Sequence, residues 1–399
     1  MHSDTQFFDS KNLSRPLVII PFGLIFIVNL IITQVNGFGY AGELAIFSAA
    51  SSFLAILFSM QWDIEILIRD KDKMLVSIYS GILVATFFFT VSIGLYFLLN
   101  FLSFNFYLFL TSSATLLAIN EILLSGLVKL KKYKIWILVR SLTPIMLFFF
   151  AINQFSIELT WLFAQLVPLI ALVLFYFGSF KSNLINGFSI SLKNLFSRSC
   201  KLLSLTASSL ISNSILLFCL IGISFSLDNY EAGLWVNAYR IFSAPVVLSS
   251  SIILPFVLSK IGDIAYISKF KIFYKYLLGM TLLLIFISPF VYFFGSTTFK
   301  TLTNSSSIIE GYLCITICWI GAMHCLIQNM RSFFHSIDKA ETFLVILILF
   351  IFLIGAIFFS VSSISLVQIS ERIFYSTFFI FILIILNLLN ANYIKIEKN

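Results

Sequence analysis

The side chains able to do chemistry in this sequence are ionisable groups set inside long apolar runs. Arg240 lies about 12 Å along such a run from its nearer polar edge, at 1.5 Å per residue of helix. A guanidinium stays charged, and its planar fork matches carboxylate or phosphate oxygens. An ionised group at mid-bilayer costs on the order of 2.5 to 3.5 kcal/mol even on the lenient insertion scale, so it needs water or a partner. Arg240 therefore faces a wet cavity that suits an anionic ligand, or it locks a bundle by pairing with a carboxylate or helix carbonyls. Glu121, beside Asn120, has Ser125 and Lys129 following at steps of four. It is a proton-carrying carboxylate or the ion-pair partner of Arg140, which lies across the next loop.

Asp63 and Glu65 point about 200° apart around one helix axis, so they do not serve one cavity equally. Glu65 has Arg69 four residues on, a surface pair, whereas Asp63 has only Ile66 and Leu67 at that spacing. Asp63 is the better functional candidate. Three polar stripes accompany these charges: Asn29, Thr33 and Asn36; Ser204, Ser208 and Ser212; and His324, Gln328 and Arg331. Such stripes line channels or serve as helix-packing surfaces. The candidate substrate contacts are Arg240, Arg140, Asn29, Asn237, His324 and Gln328, and the candidate ion-coupling carboxylates are Asp63 and Glu121.

The elements that must carry these residues are set by composition. Of 399 residues, 60% are hydrophobic and 11% charged, more apolar surface than one soluble core of this size hides. Apolar runs long enough to cross a 30 Å hydrocarbon core fall near 16–34, 41–66, 74–98, 106–128, 135–152 and 159–179. They recur near 202–225, 232–258, 274–294, 309–330, 342–361 and 373–391. The fold class expected is an all-α polytopic membrane protein with about 12 transmembrane helices. The polar stretch Lys181–Lys201 divides six helices from six, predicting bundles at 1–190 and 191–399. Pro21, Pro144, Pro168, Pro245, Pro255 and Pro289 each interrupt helical bonding and predict kinks.

Of the 25 Lys and Arg residues, 21 fall on one side of these spans. The positive-inside rule makes that side, and both termini, cytoplasmic. Glu158, Asp228, Glu231, Glu310 and Glu371 fall in short loops on the other side, which leave no room for an extracytoplasmic catalytic domain. The net charge of +8 follows this topology and does not point to nucleic acid. No phosphate-cradling glycine loop, zinc helix motif or nucleophile elbow is present, and the cysteines have no metal-knuckle spacing, so neither enzyme, metal nor cofactor is expected. The run from Pro16 to Gln34 is too long for a signal-peptide core and reads as the first membrane helix.

Glu231-Ala-Gly-Leu-Trp-Val-Asn-Ala-Tyr-Arg240-Ile-Phe-Ser-Ala-Pro245 resembles the helix 8 signature of the polysaccharide transporter (O-antigen flippase) family, with its Gly, Ala-x-Arg and Pro at this spacing. Phe38–Gly42 and Trp62-Asp63-Ile64-Glu65-Ile66 look like that family's helix 2 start and aromatic-Glu-x-Ala-Ile motif, with Gln61 where an Arg is usual and Glu65 in place of a small residue. The basic loop Lys129–Lys134 leading to Arg140 is similar to the family's loop between helices 4 and 5. The resemblance implies two six-helix bundles around a central cavity that opens alternately inward and outward. It implies movement of an undecaprenyl-diphosphate-linked oligosaccharide across the bacterial inner membrane, with the diphosphate meeting a basic residue. Coupling to protons or sodium ions, surrounding membrane lipids and a polysaccharide polymerase partner are the associated expectations. The alternatives are a multidrug-type cation antiporter on the same architecture and a polysaccharide polymerase or ligase.

Overall fold

A backbone in hydrocarbon has no water to bond with, so every amide must be satisfied within its own segment, which dictates helices here. A computed structural model describes residues 19–68, 74–99, 103–180, 229–261, 266–303, 309–337, 340–359 and 365–396, with scattered residues between 202 and 223. The first half holds α1 (Ile19–Ser59), α2 (Trp62–Ile68), α3 (Met74–Leu99), α4 (Phe104–Lys129), α5 (Tyr133–Ile152) and α6 (Ile157–Phe180). The second half holds α7 (Asn229–Ile261), α8 (Tyr266–Thr303), α9 (Gly311–Ser336), α10 (Ala340–Phe359) and α11 (Leu366–Ile396). The described residues between 202 and 223 are helical as well, where the seventh span is expected. Among the described residues, seven helices are long and apolar enough to cross a membrane, and a bent helix pair makes an eighth span. The proposed division at 190/191, Ser204 and Arg69 lie outside the described residues.

The first two expected spans are not separated by a non-helical loop. Helical geometry continues from Ile19 to Ser59, and 41 residues laid straight would reach about 61 Å, twice the hydrocarbon thickness. Contacts show where the path lies. The Gln34 amide donates to Leu302 O (3.1 Å), Asn36 to Ala151 O (2.9 Å) and the Tyr40 hydroxyl to Phe155 O (3.3 Å), so residues 34–40 sit at the end opposite the Lys131–Lys134 loop. Phe47 then meets Phe106 near the start of α4, and Phe58 packs with Ala85, Ala114 and Ala118 deeper in the bundle. The second half of α1 therefore descends again.

That descent breaks at Met60 and Gln61, whose φ of 44° and 57° are left-handed and unfavourable for residues with a Cβ. The break bends the span by 59° and starts α2 as a separate seven-residue helix. Two features hold α2 in place. Trp62 is buried where Gly81 of α3 leaves room: a Cβ at Gly81 would come within 2.9 Å of Trp62 Cβ. At the other end, Lys129, only 1% exposed, donates to the Leu67 carbonyl of the last α2 turn at 3.1 Å.

Helices α1 to α6 pack chiefly on one another, as do α7 to α11. Across the divide, α7 touches α1, α2 and α4, and α8 touches α1. In the second half α7 and α9 approach closely because Gly321 faces Ser243 with no side chain between them, and Cys318 Sγ donates to Phe242 O at 3.2 Å. Trp235 Nε1 donates to Ser370 Oγ (3.1 Å), tying α7 to α11, and Trp319 Nε1 to Ser288 Oγ (2.9 Å), tying α9 to α8. Pro144, Pro168 and Pro289 stand inside α5, α6 and α8.

Candidate functional site

On α7, at 100° per residue, Trp235, Tyr239, Phe242 and Val246 share one side. That side is engaged: Trp235 bonds α11, Tyr239 lies against Gly321 of α9, and Phe242 accepts from Cys318. Asn237, Arg240 and Ala244 occupy the opposite side. Arg240 is partly buried there, about 17 Å along α7 from Asn229. Among the described residues it makes no hydrogen bond or ion pair. Asn237 shares its side of the helix and is bonded.

A second group of charges gathers nearer the basic end. Asp63 of α2 is deep in the protein, where its carboxylate senses the negative charge of Glu121 on α4 and the positive charge of Arg331 on α9. Its Oδ1 has no hydrogen-bond partner among the described residues. Neither do Gln61 Oε1 and Trp62 Nε1, so three successive residues at the α1–α2 break each leave a buried polar atom unbonded. Arg331 reaches toward Ser212 Oγ (3.5 Å), while its Nε is unbonded. Glu121 pairs directly with Arg140 through Oε1 and Nη1, with side chains 37% and 24% exposed. The Glu121–Arg140 ion pair expected as one of the two readings is present, and the apolar surroundings read for Asp63 hold only along its own helix.

Other candidates are placed differently. Asn29 donates to Ile25 O (2.9 Å) and Thr33 to Asn29 O (2.8 Å) within α1, while Asn36 caps the Ala151 carbonyl. The donors of this stripe are spent on backbone carbonyls, while Asn36 Oδ1 has no partner among the described residues. Ser208 and Ser212 likewise bond carbonyls of their own helix. His324 is buried against the ring of Phe350 on α10 (centroids 5.9 Å apart), with both ring nitrogens unbonded. It packs between helices of the second half. Gln328, one turn on, is partly buried and bonded.

The sequence reading missed a buried network in the second half. Asn329 of α9 donates to Ser250 of α7 and to the Tyr276 hydroxyl of α8 (2.8 Å), while Ser250 and Tyr276 share a 2.6 Å hydrogen bond. The signal was present: Asn329 is a polar residue in an apolar run, next to Gln328. In the first half, Asn120 donates to the Gln165 carbonyl at 2.9 Å, joining α4 to α6.

Solved structures share this fold. A transporter from Pyrococcus furiosus, described as having a binding pocket of reverse polarity that suggests a different function, superposes with a TM-score of 0.68 at 14% identity, covering 95% of each chain. An outward-facing multidrug resistance MATE transporter matches with a TM-score of 0.68 at 13% identity over 97% of this chain and 96% of its own. The fold is that of the MOP superfamily of transporters. A Vibrio cholerae MATE transporter matches at 0.62 and 15% identity over 97% and 96%. No family model matches the sequence, and no curated protein sequence matches it. The MOP fold makes the chain an all-α polytopic membrane protein of about twelve transmembrane helices in two bundles around a central cavity, as the hydropathy spacing predicts. The charges that act on Asp63 come from both halves of the chain.

Proposed function

We propose that the chain is a flippase that moves an undecaprenyl-diphosphate-linked oligosaccharide repeat unit, of O-antigen or a similar surface polysaccharide, across the bacterial inner membrane by alternating access. The observation that carries this reading is Arg240: a cation on the side of α7 away from its contacts with α9 and α11, with no partner among the described residues, inside the segment that resembles the helix 8 signature. A diphosphate supplies the charge that such a guanidinium lacks. Asn237, on the same side, is placed to bind sugar hydroxyls. Asp63 is the candidate coupling carboxylate, since its Oδ1 is buried without a bond among the described residues and its charge is acted on by Arg331 of the second half. A proton or sodium ion taken up by Asp63 would weaken its attraction to Arg331 and so favour separation of α2 from α9.

The orientation proposed has both termini and the 21 clustered cations on the cytoplasmic side, with bundles at 1–190 and 191–399 and a polysaccharide polymerase as a downstream partner. The second reading, a multidrug-type cation antiporter, draws on the multidrug transporters among the structural neighbours. An unpaired Arg240 opposes it, because a cation in the cavity repels cationic drugs.

The test is Arg240→Ala and Arg240→Lys in a deletion strain at matched membrane abundance, scoring surface polysaccharide and accumulated lipid-linked glycan. Loss of export by Ala with partial retention by Lys is expected. Full export by Ala overturns the anion-contact reading, and drug hypersensitivity of the deletion strain with normal surface polysaccharide supports the antiporter.

A further inference from the structure

Helices α8 and α11 both pack on α9 but scarcely on each other, leaving a cleft between them. Its volume is about 500 Å³, and its walls are Phe270, Phe273, Leu277, Leu278, Phe381 and Leu388. The floor is rigid, with Phe273 and Phe333 stacked at 4.0 Å. No residue of α7 lines it, so it is separate from the side of α7 that carries Arg240.

The mouth of this groove is not apolar. Lys271 and Lys275 lie one helical turn apart on the exposed side of α8, with Tyr274 (59% exposed) between them. Neither lysine has an ion pair or hydrogen bond among the described residues, and no carboxylate lines the groove. Like charges four residues apart on a helix repel one another, which an anion placed between them relieves. Beyond them, Leu278, Leu282, Ile285 and Phe286 continue an exposed apolar stripe along α8 into the hydrocarbon.

We propose that this groove is a binding site for an anionic phospholipid of the leaflet on the basic side, with one acyl chain in the cleft and its phosphate between Lys271 and Lys275. The occupant follows from the pattern: hydrocarbon-lined walls open to lipid, and two unpaired cations at the headgroup level. A zwitterionic lipid offers the same chain but no net charge for the lysines. Bound there, the lipid bridges α8 and α11 and stiffens the second bundle. The proposal does not depend on the transported substrate.

The experiment is native mass spectrometry of the full chain in detergent, titrated with phosphatidylglycerol and, separately, with phosphatidylcholine of the same acyl composition. At roughly fivefold in affinity per lysine, Lys271→Gln with Lys275→Gln should weaken phosphatidylglycerol binding by about 25-fold and leave phosphatidylcholine unchanged. Leu278→Trp, which fills the cleft without altering charge, should weaken both lipids. Equal phosphatidylglycerol binding by the double variant and the parent overturns the site. Preferential retention of a polyprenyl-linked glycan, lost in the double variant, overturns the phospholipid as occupant. Arg240→Ala should bind phosphatidylglycerol like the parent, so failure here and failure of the flippase reading are separable.

Discussion

Two buried polar sites in this molecule are built on opposite terms. In the second bundle, Ser250, Tyr276 and Asn329 are neutral, join three helices and bond one another. At the α1–α2 break, Gln61 and Trp62 are buried and Asp63 half-buried, yet each leaves a buried polar atom unbonded among the described residues, and two residues there adopt left-handed backbone. A satisfied network in low dielectric rigidifies its surroundings, whereas an unsatisfied group costs free energy unless something else meets it. The first site is a clasp, and the second is a place where a residue is held short of its partners. The charge that answers Asp63 comes from Arg331, on the other bundle.

This contrast can be broken at either site. The largest effect is expected from Asp63→Asn, which should reduce polysaccharide export by about 5- to 150-fold, the range of a typical coupling free energy, while leaving the thermal midpoint in detergent unchanged or raised. A double-mutant cycle with Arg331→Gln should show an interaction of about 0.5 to 3 kcal/mol in export, and strict additivity would separate the two residues functionally. Lys129→Met comes next: it strips the Leu67 carbonyl of its donor, with an expected stability loss of about 1 to 3 kcal/mol by thermal unfolding and a parallel fall in export. Asn329→Leu should do the reverse of Asp63→Asn, lowering stability by about 1 kcal/mol with export nearly retained. His324→Phe should be the mildest, within about 0.5 kcal/mol and about twofold in export, because its ring already packs as an aromatic against Phe350. A large loss of export in that variant would return His324 to the cavity.

Legibility from sequence differed with range. The ion pair of Glu121 with Arg140 was readable because the two residues flank one short loop, and the face of α7 carrying Asn237 and Arg240 because helical periodicity fixes it. The stripes on α1 and at His324 were open to two readings, because a polar residue in an apolar run bonds its own helix or packs on a ring as readily as it faces water. The break at Met60 and Gln61 carries no glycine or proline to announce it.

By itself the sequence determined the solvent and the helix count, since runs of about twenty apolar residues admit no other spanning structure, and the side on which cations gather. It also placed a guanidinium within an apolar run. Only the tertiary structure decided that this guanidinium has no partner among the described residues, and that Asp63, on a seven-residue helix wedged by Trp62 and held by Lys129, comes within the electrostatic reach of Arg331 from the other half of the chain. Hydropathy is a property of each segment, whereas a charge finds its partner through packing between residues far apart in sequence, and no periodicity in either segment encodes the other.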